Sequence, residues 1–235
     1  MQVLTEMIIS LLKVSKGEPI SHELINNEAK IPSKVAERLL RTLQRDGLVY
    51  VHDRFLQTDA SQRVGLAVRA LELGADHERV SGFLDWKEFE SIAAVALEKH
   101  GYTVRTNLRF KQGGRRWEMD IVGCRRPIVV CVDCKHWRRG LYPSKLRGAV
   151  EEQVRRTLAF SEFLPNPAVR IECASWKEAR FVPVVLSLMP ASFKFHNETP
   201  VVPILQLQDF LAQLPMCLNS LRCFDRTQSH LRTES

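Results

Sequence analysis

The first eighty residues repeat their apolar positions at helical spacing. In "TEMIISLLKVS", Met7, Ile8, Leu11 and Leu12 fall on one side of a helix. "SHELINNEAK" opens on Ser21 as a serine cap, has Glu23 two positions later, and predicts a second helix. In "IPSKVAERLLRTLQRDGLVYV", Val35, Leu39, Leu40 and Leu43 form the apolar side of a third. Ser33 is its expected N-cap and Gly47 its stop. "LVYVHDRFLQT" then alternates about the polar turn His52-Asp53-Arg54, the pattern of a short hairpin. "ASQRVGLAVRALELGAD" reads as a linking helix, and the charge and glycine around Asp76–Asp85 read as a boundary.

Beyond that boundary the period changes. "DWKEFESIAAVALEKHGYTV" puts Phe89, Ile92, Ala93, Ala96 and Leu97 on the buried side of a helix that ends at His100-Gly101. "YTVRTNLRF" alternates as a strand, "KQGGRR" is a turn, "WEMDIVG" is a second strand and "PIVVCVDCK" a third. "SKLRGAVEEQVRRTLAFSEFL" is a helix with Ser144 as a possible N-cap. Two buried strands, "RFVPVVLSLM" and "VVPILQL", and a short helix, "QDFLAQL", close the pattern. The order α-β-β-β-α-β-β predicts a three-layer α/β domain over residues 84–215. Residues 1–80, three helices and a hairpin plus the linking helix, have the order of a mainly α winged helix-turn-helix domain. Residues 216–235 turn polar and predict a frayed tail.

Charge sharpens this division. The chain has 235 residues and a net charge of +7. Residues 1–80 carry 11 Lys+Arg against 11 Asp+Glu, whereas residues 105–156 carry 14 against 5. The excess therefore surrounds the third strand of the second part. A basic surface there suits a polyanion, most often nucleic acid, or is simply solvated. In the neutral part, Lys34, Arg38, Arg41 and Arg45 recur every three or four residues and form one basic stripe. Such a stripe can enter a DNA groove. It is equally the pattern of a solvated face, or of a winged helix used for protein contacts.

No apolar run reaches the length of a membrane span, so no membrane is expected as a partner. The first residues lack a basic segment before their apolar positions, which predicts a cytoplasmic protein. The six cysteines lie in apolar surroundings and read as reduced core residues. Cys131 and Cys134 form a C-x-x-C, but inside a strand and on opposite faces. That placement argues against a zinc or redox role for them, since a zinc site needs four ligands, usually on turns.

The chemistry concentrates at the end of the third strand. Strand alternation puts Asp133 and Lys135 on one side and Val130, Val132 and Cys134 on the other. Alone, Asp133 and Lys135 could be a strand-end salt bridge. Asp120 could cap a turn, and Glu90 could face solvent. Together, Glu90 on a helix, Asp120 in the second strand and D-x-K at the end of the third give E…D-x(12)-D-x-K on an α-β-β-β frame.

That constellation resembles the PD-(D/E)xK nuclease superfamily, of restriction-endonuclease-like fold. "EFESIAAVALEKHGYTV", "MDIVG" and "VDCKHW" look most like Mrr-type restriction endonucleases and archaeal Holliday-junction resolvases. The resemblance covers roughly Asp85 to Leu214. The usual proline before the first aspartate is replaced by Met119. The resemblance implies a metal-dependent DNA endonuclease using Mg²⁺, with Mn²⁺ as a substitute. Asp120, Asp133 and the backbone carbonyl of Cys134 would hold the ion, and Glu90 would contribute directly or through water. Lys135 would act on the attacking water. Arg115, Arg116, Arg138, Arg139 and Gln153 would meet the DNA, along with the Lys34–Arg45 stripe. A homodimer would supply two sites for two strands. The alternative on the same fold is a DNA-binding regulator with an inactive centre.

Overall fold

The structure is a computed structural model. It describes residues 2–16, 18–76, 79–80, 82–135, 142–166, 169–188 and 190–227. Arg138 and Arg139 lie outside the described residues. The described residues divide into two compact units, 1–92 and 93–227.

In the first unit, helix α1 (Gln2–Val14) buries Met7, Ile8, Leu11 and Leu12 completely, as its spacing requires. Helix α2 (His22–Ala29) is capped by Ser21, whose hydroxyl accepts the Leu24 N–H. Helix α3 (Ser33–Arg45) starts one residue earlier than expected. Pro32 supplies the non-helical cap backbone, and Ser33 is already in the first turn. The helix buries Ala36, Leu40 and Leu43, while Val35 and Leu39 are only half-buried. Gly47 follows it at φ 74, where a side chain would be strained.

Strands β2 (Tyr50–His52) and β3 (Phe55–Gln57) form the hairpin. A two-residue strand, β1 (Ile20–Ser21), pairs antiparallel with β3 and completes a sheet of order β1-β3-β2. Two residues are too few to show an alternation in sequence. Helix α4 (Ala60–Glu72), expected as a link, packs against α1 and buries Leu66, Ala67 and Ala70. It starts on a capping box: Asp59 accepts the Gln62 N–H, and the Gln62 side chain accepts the Asp59 N–H. Helix α5 (Trp86–Lys99) follows, and the division between the units falls within it, after Ile92.

The second unit is built on a sheet of order β4-β5-β6-β7-β9-β8. Strands β4 (Thr103–Gln112), β5 (Arg115–Arg125) and β6 (Ile128–Lys135) run antiparallel in sequence. Helix α6 (Pro143–Phe163) carries the chain back, so that β7 (Glu178–Ser187) pairs parallel with β6. Strand β9 (Thr199–Pro203) adds parallel to β7, and β8 (Phe195–His196) closes that edge. On one face, Phe160 of α6 packs with Phe110, Val122, Cys131 and Phe181. On the other, Leu97 and Tyr102 come so close to Gly123 that a β-carbon there would lie 3.0 Å from Leu97.

Three expectations change here. Helix α6 is entered through Tyr142 with Pro143 at its first position, so Ser144 is not the cap. The "VVPILQL" strand stops at Pro203, and 204–206 form a 3₁₀ turn leading into helix α7 (Leu207–Cys217). The tail is not frayed through 227: β10 (Phe224–Thr227) pairs with the first half of β7. Phe224 packs against the core cluster, and Arg226 donates to the Cys173 carbonyl at 2.6 Å. Those interactions hold a segment whose local sequence is mostly polar.

Candidate active site

Strand register brings the two aspartates together. The β5–β6 ladder ends on the pair Ile121–Val132, and one residue beyond it on the two strands stand Asp120 and Asp133. The β4–β5 ladder also skips this level: Thr106 pairs with Ile121 and Leu108 with Met119. The skipped residue on β4, Asn107, has φ 51. Both ladders thus release Asp120, the kind of local break that re-aims side chains beside active sites. Its Oδ2 instead accepts the backbone N–H of Cys134 at 2.7 Å.

Asp133 is 2% exposed. Its Oδ1 accepts from Lys135 Nζ at 3.1 Å and from Arg156 Nη1 at 2.5 Å. Its buried Oδ2 lies 2.9 Å from Lys135 Nζ but has no well-aligned hydrogen bond. A buried carboxylate oxygen left in that state is costly unless something else meets it. Asp120 is under matching stress. Burial first, and the Asp133 charge second, push its carboxyl up to about 6. The Cys134 N–H, Arg156 and Lys135 pull the other way without overcoming them.

Gln153, expected to meet the DNA, is instead fully buried on α6: its amide is spent inside the protein and it belongs to the same cluster. Its Nε2 donates to the Cys131 carbonyl at 2.7 Å, and its Oε1 accepts from Arg156 at 3.0 Å. Arg156 itself carries no mark in the sequence that separates it from its basic neighbours. The signal available was its spacing, three residues after Gln153, which puts both on one helix face.

The other candidates are placed as follows. Glu90 is buried on α5. Cys134 is buried and in register with Leu186 of β7. Arg115 is ion-paired to Glu152 and stacks over Trp117 at 4.0 Å, whereas Arg116 is exposed on the β4–β5 hairpin. Lys34, Arg38, Arg41 and Arg45 are all exposed and line one shallow cleft with Glu37 and Thr42. Cys131 and Cys134, three apart on one strand, face opposite sides and cannot share an ion.

The oxygen donors fit a hard divalent cation. Among the described residues no group of three or more His, Cys, Asp or Glu side chains is gathered for metal. Two facing carboxylates, one with an oxygen lacking a good donor and one held up by burial and then by its neighbour's charge, are nonetheless a donor set that Mg²⁺ can use. It keeps several of its waters and needs few protein ligands.

Comparison with known proteins covers the same stretch of the chain. Residues 85–174 match the nuclease-related domain, NERD. That stretch contains Glu90, Asp120, Asp133, Lys135, Gln153 and Arg156. An uncharacterized protein of Archaeoglobus fulgidus is 32% identical over 130 residues, 55% of this chain and 91% of that protein. The crystal structure of protein VC1899 from Vibrio cholerae is 13% identical, with a TM-score of 0.34. That match covers 93% of this chain and 50% of that one, and at this score it carries no argument about the fold. No helix among the described residues is long and apolar enough to cross a membrane. Residues 85–174 of the chain are thereby identified as a nuclease-related domain.

Proposed function

We propose that this chain is a metal-dependent DNA endonuclease of the PD-(D/E)xK type. The observation that carries the reading is the pair Asp120 and Asp133, which face each other one residue beyond the end of the β5–β6 ladder, beside Lys135. Asp120, Asp133 and the Cys134 carbonyl would hold Mg²⁺ or Mn²⁺, with Glu90 reaching it directly or through water. When bound, such an ion neutralises charge on the phosphate and lowers the pKa of water. Lys135 is one-third exposed, at the rim of the buried group, where it can leave Asp133 and orient the attacking water. Arg116 and the basic neighbours of the β4–β5 hairpin would bind phosphates.

The first unit would act as a winged helix that targets DNA, with the exposed α3 stripe on the backbone or in the major groove. Two centres are needed to cut two strands, so the active form would be a homodimer.

The test is a cleavage panel of supercoiled plasmid, linear duplex, single-stranded and four-way-junction DNA. Each is incubated with Mg²⁺, Mn²⁺ or chelator. Cleavage of at least one substrate, with metal only, is expected. Intact DNA in every lane, from folded protein, would contradict the reading.

A further inference from the structure

We propose that Arg156 is a positioning residue of this centre: a fixed cation that holds Asp133 and makes divalent-metal binding depend on a DNA phosphate. The proposal rests on the nuclease reading above and concerns how that site is loaded.

The Gln153 amide anchors the arrangement. Its Nε2 faces the Cys131 carbonyl, which can only accept, so the orientation of the amide is fixed. Its oxygen is thereby turned to Arg156, which donates to it at 3.0 Å. The guanidinium is thus tied to β6 through Gln153 as well as to Asp133 Oδ1 at 2.5 Å. The Arg156 side chain is only 15% exposed, against 32% for Lys135. The two cations on Asp133 therefore differ in kind. Lys135 is on a flexible stem at the rim, while Arg156 is a planar donor locked between two acceptors.

Two carboxylates and two fixed or nearby cations leave the centre close to neutral. A lone divalent ion arriving there meets the repulsion of both cations and competes with them for Asp133. A phosphate diester changes that balance, because it gives Lys135 and the free face of Arg156 an anion of their own. Metal and phosphate should therefore bind with positive coupling, and the coupling must be reciprocal. Arg156 contributes the part of it that cannot move away. A purely structural ion pair would make no such link.

The experiment measures Ca²⁺ binding to the full chain by titration calorimetry, alone and with a short phosphorothioate duplex. Wild type should bind lone Ca²⁺ weakly and bind it about tenfold more tightly with the duplex, within the usual range of coupling. Arg156→Met should bind lone Ca²⁺ more tightly than wild type and lose most of the duplex-induced gain. Arg156→Lys, which restores the charge, should return toward wild type. Arg156→Gln is the substitute if Arg156→Met fails to fold by circular dichroism. If folded Arg156→Met and Arg156→Gln bind lone Ca²⁺ no more tightly than wild type, Arg156 is only a structural partner of Asp133 and the proposal is wrong. If wild type binds no Ca²⁺ even with the duplex, the metal site itself is wrong and the proposal falls with it.

Discussion

Each unit contains a buried arginine paired with a carboxylate, and the two pairs are built differently. In the first unit, Arg63 is 4% exposed and saturated. It donates to Glu88 at 2.6 Å, to the Leu12 carbonyl at 2.9 Å and to the Phe83 carbonyl at 2.6 Å, and also to the Ser15 carbonyl. Glu88 spends its other oxygen on the Asp85 N–H. In the second unit, Arg156 meets Asp133, but there an oxygen lacks a well-aligned donor and a second carboxyl stands beside it. The first arrangement is closed: every group present is matched. The second is open, and an open buried charge cluster is unfavourable unless a ligand completes it. The contrast separates an ion pair that joins α1, α4 and the start of α5 from one left open beside a second carboxyl, where the proposed function puts its centre.

The largest expected effect is at the open pair. Lys135→Ala should lower the single-turnover cleavage rate by about 10²–10⁴-fold, the usual worth of a positioned proton-transfer group. DNA affinity in Ca²⁺ should stay near wild type. An unchanged rate with a small fall in melting temperature would make Lys135 a strand-end ion pair and close the apparent gap between the two clusters.

Arg63→Met tests the closed pair. It strands Glu88 and three carbonyls, so it should cost about 3–5 kcal/mol of stability, the usual cost of breaking a buried pair from one side. Urea unfolding measures this. Cleavage per folded molecule should not change. A mutant as stable as wild type would show that the Arg63 cluster is not the matched structure described.

These two clusters were unequally legible in sequence. Asp133 and Lys135 could be placed on one face because strand alternation is local, and Asp120 could be found by its position in the second strand. Arg63 and Arg156 could not, because each acquires its role from a residue 25 or 23 positions away across a helix packing. The same limit explains β1 and β10. Both are short strands whose partners are distant in sequence. The caps at Ser33 and Ser144 failed for a local reason: a proline before each already set the helix start.

A smaller effect sharpens what makes the open cluster open. The Asp120 carboxyl is raised from 3.8 to about 6 on folding. A carboxyl shifted upward costs nothing below its unfolded value. The cost grows as pH rises from 3.8 to about 6 and is complete above that. Asp120→Asn removes it. The metal-free mutant should therefore be more stable than wild type by about 2–3 kcal/mol at pH 8 and no more stable at pH 3.5. Added Ca²⁺ should stabilise wild type and not the mutant. A gain that is equal at both pH values would show that Asp120 is not under electrostatic stress.

The smallest effect is expected on the exposed α3 stripe, whose charges are neither buried nor in conflict. Replacing Lys34, Arg38 and Arg41 by Gln should weaken binding to all DNA sequences about tenfold. It should also flatten the dependence of log affinity on log salt by about 0.9 for each phosphate no longer neutralised. Fluorescence anisotropy over a salt series reads both. An unchanged slope would assign the stripe to solvent.

The most direct test of the central claim is single-turnover cleavage by Asp133→Ala beside wild type, at equal protein and Mg²⁺ concentration, with DNA affinity measured in Ca²⁺. The account predicts no detectable metal-dependent cleavage by the mutant, while its circular dichroism remains that of wild type and its DNA affinity in Ca²⁺ falls by no more than about tenfold, the coupling lost with the metal. Cleavage at the wild-type rate by a folded Asp133→Ala protein would contradict it and remove Asp120, Asp133 and Lys135 as the catalytic centre.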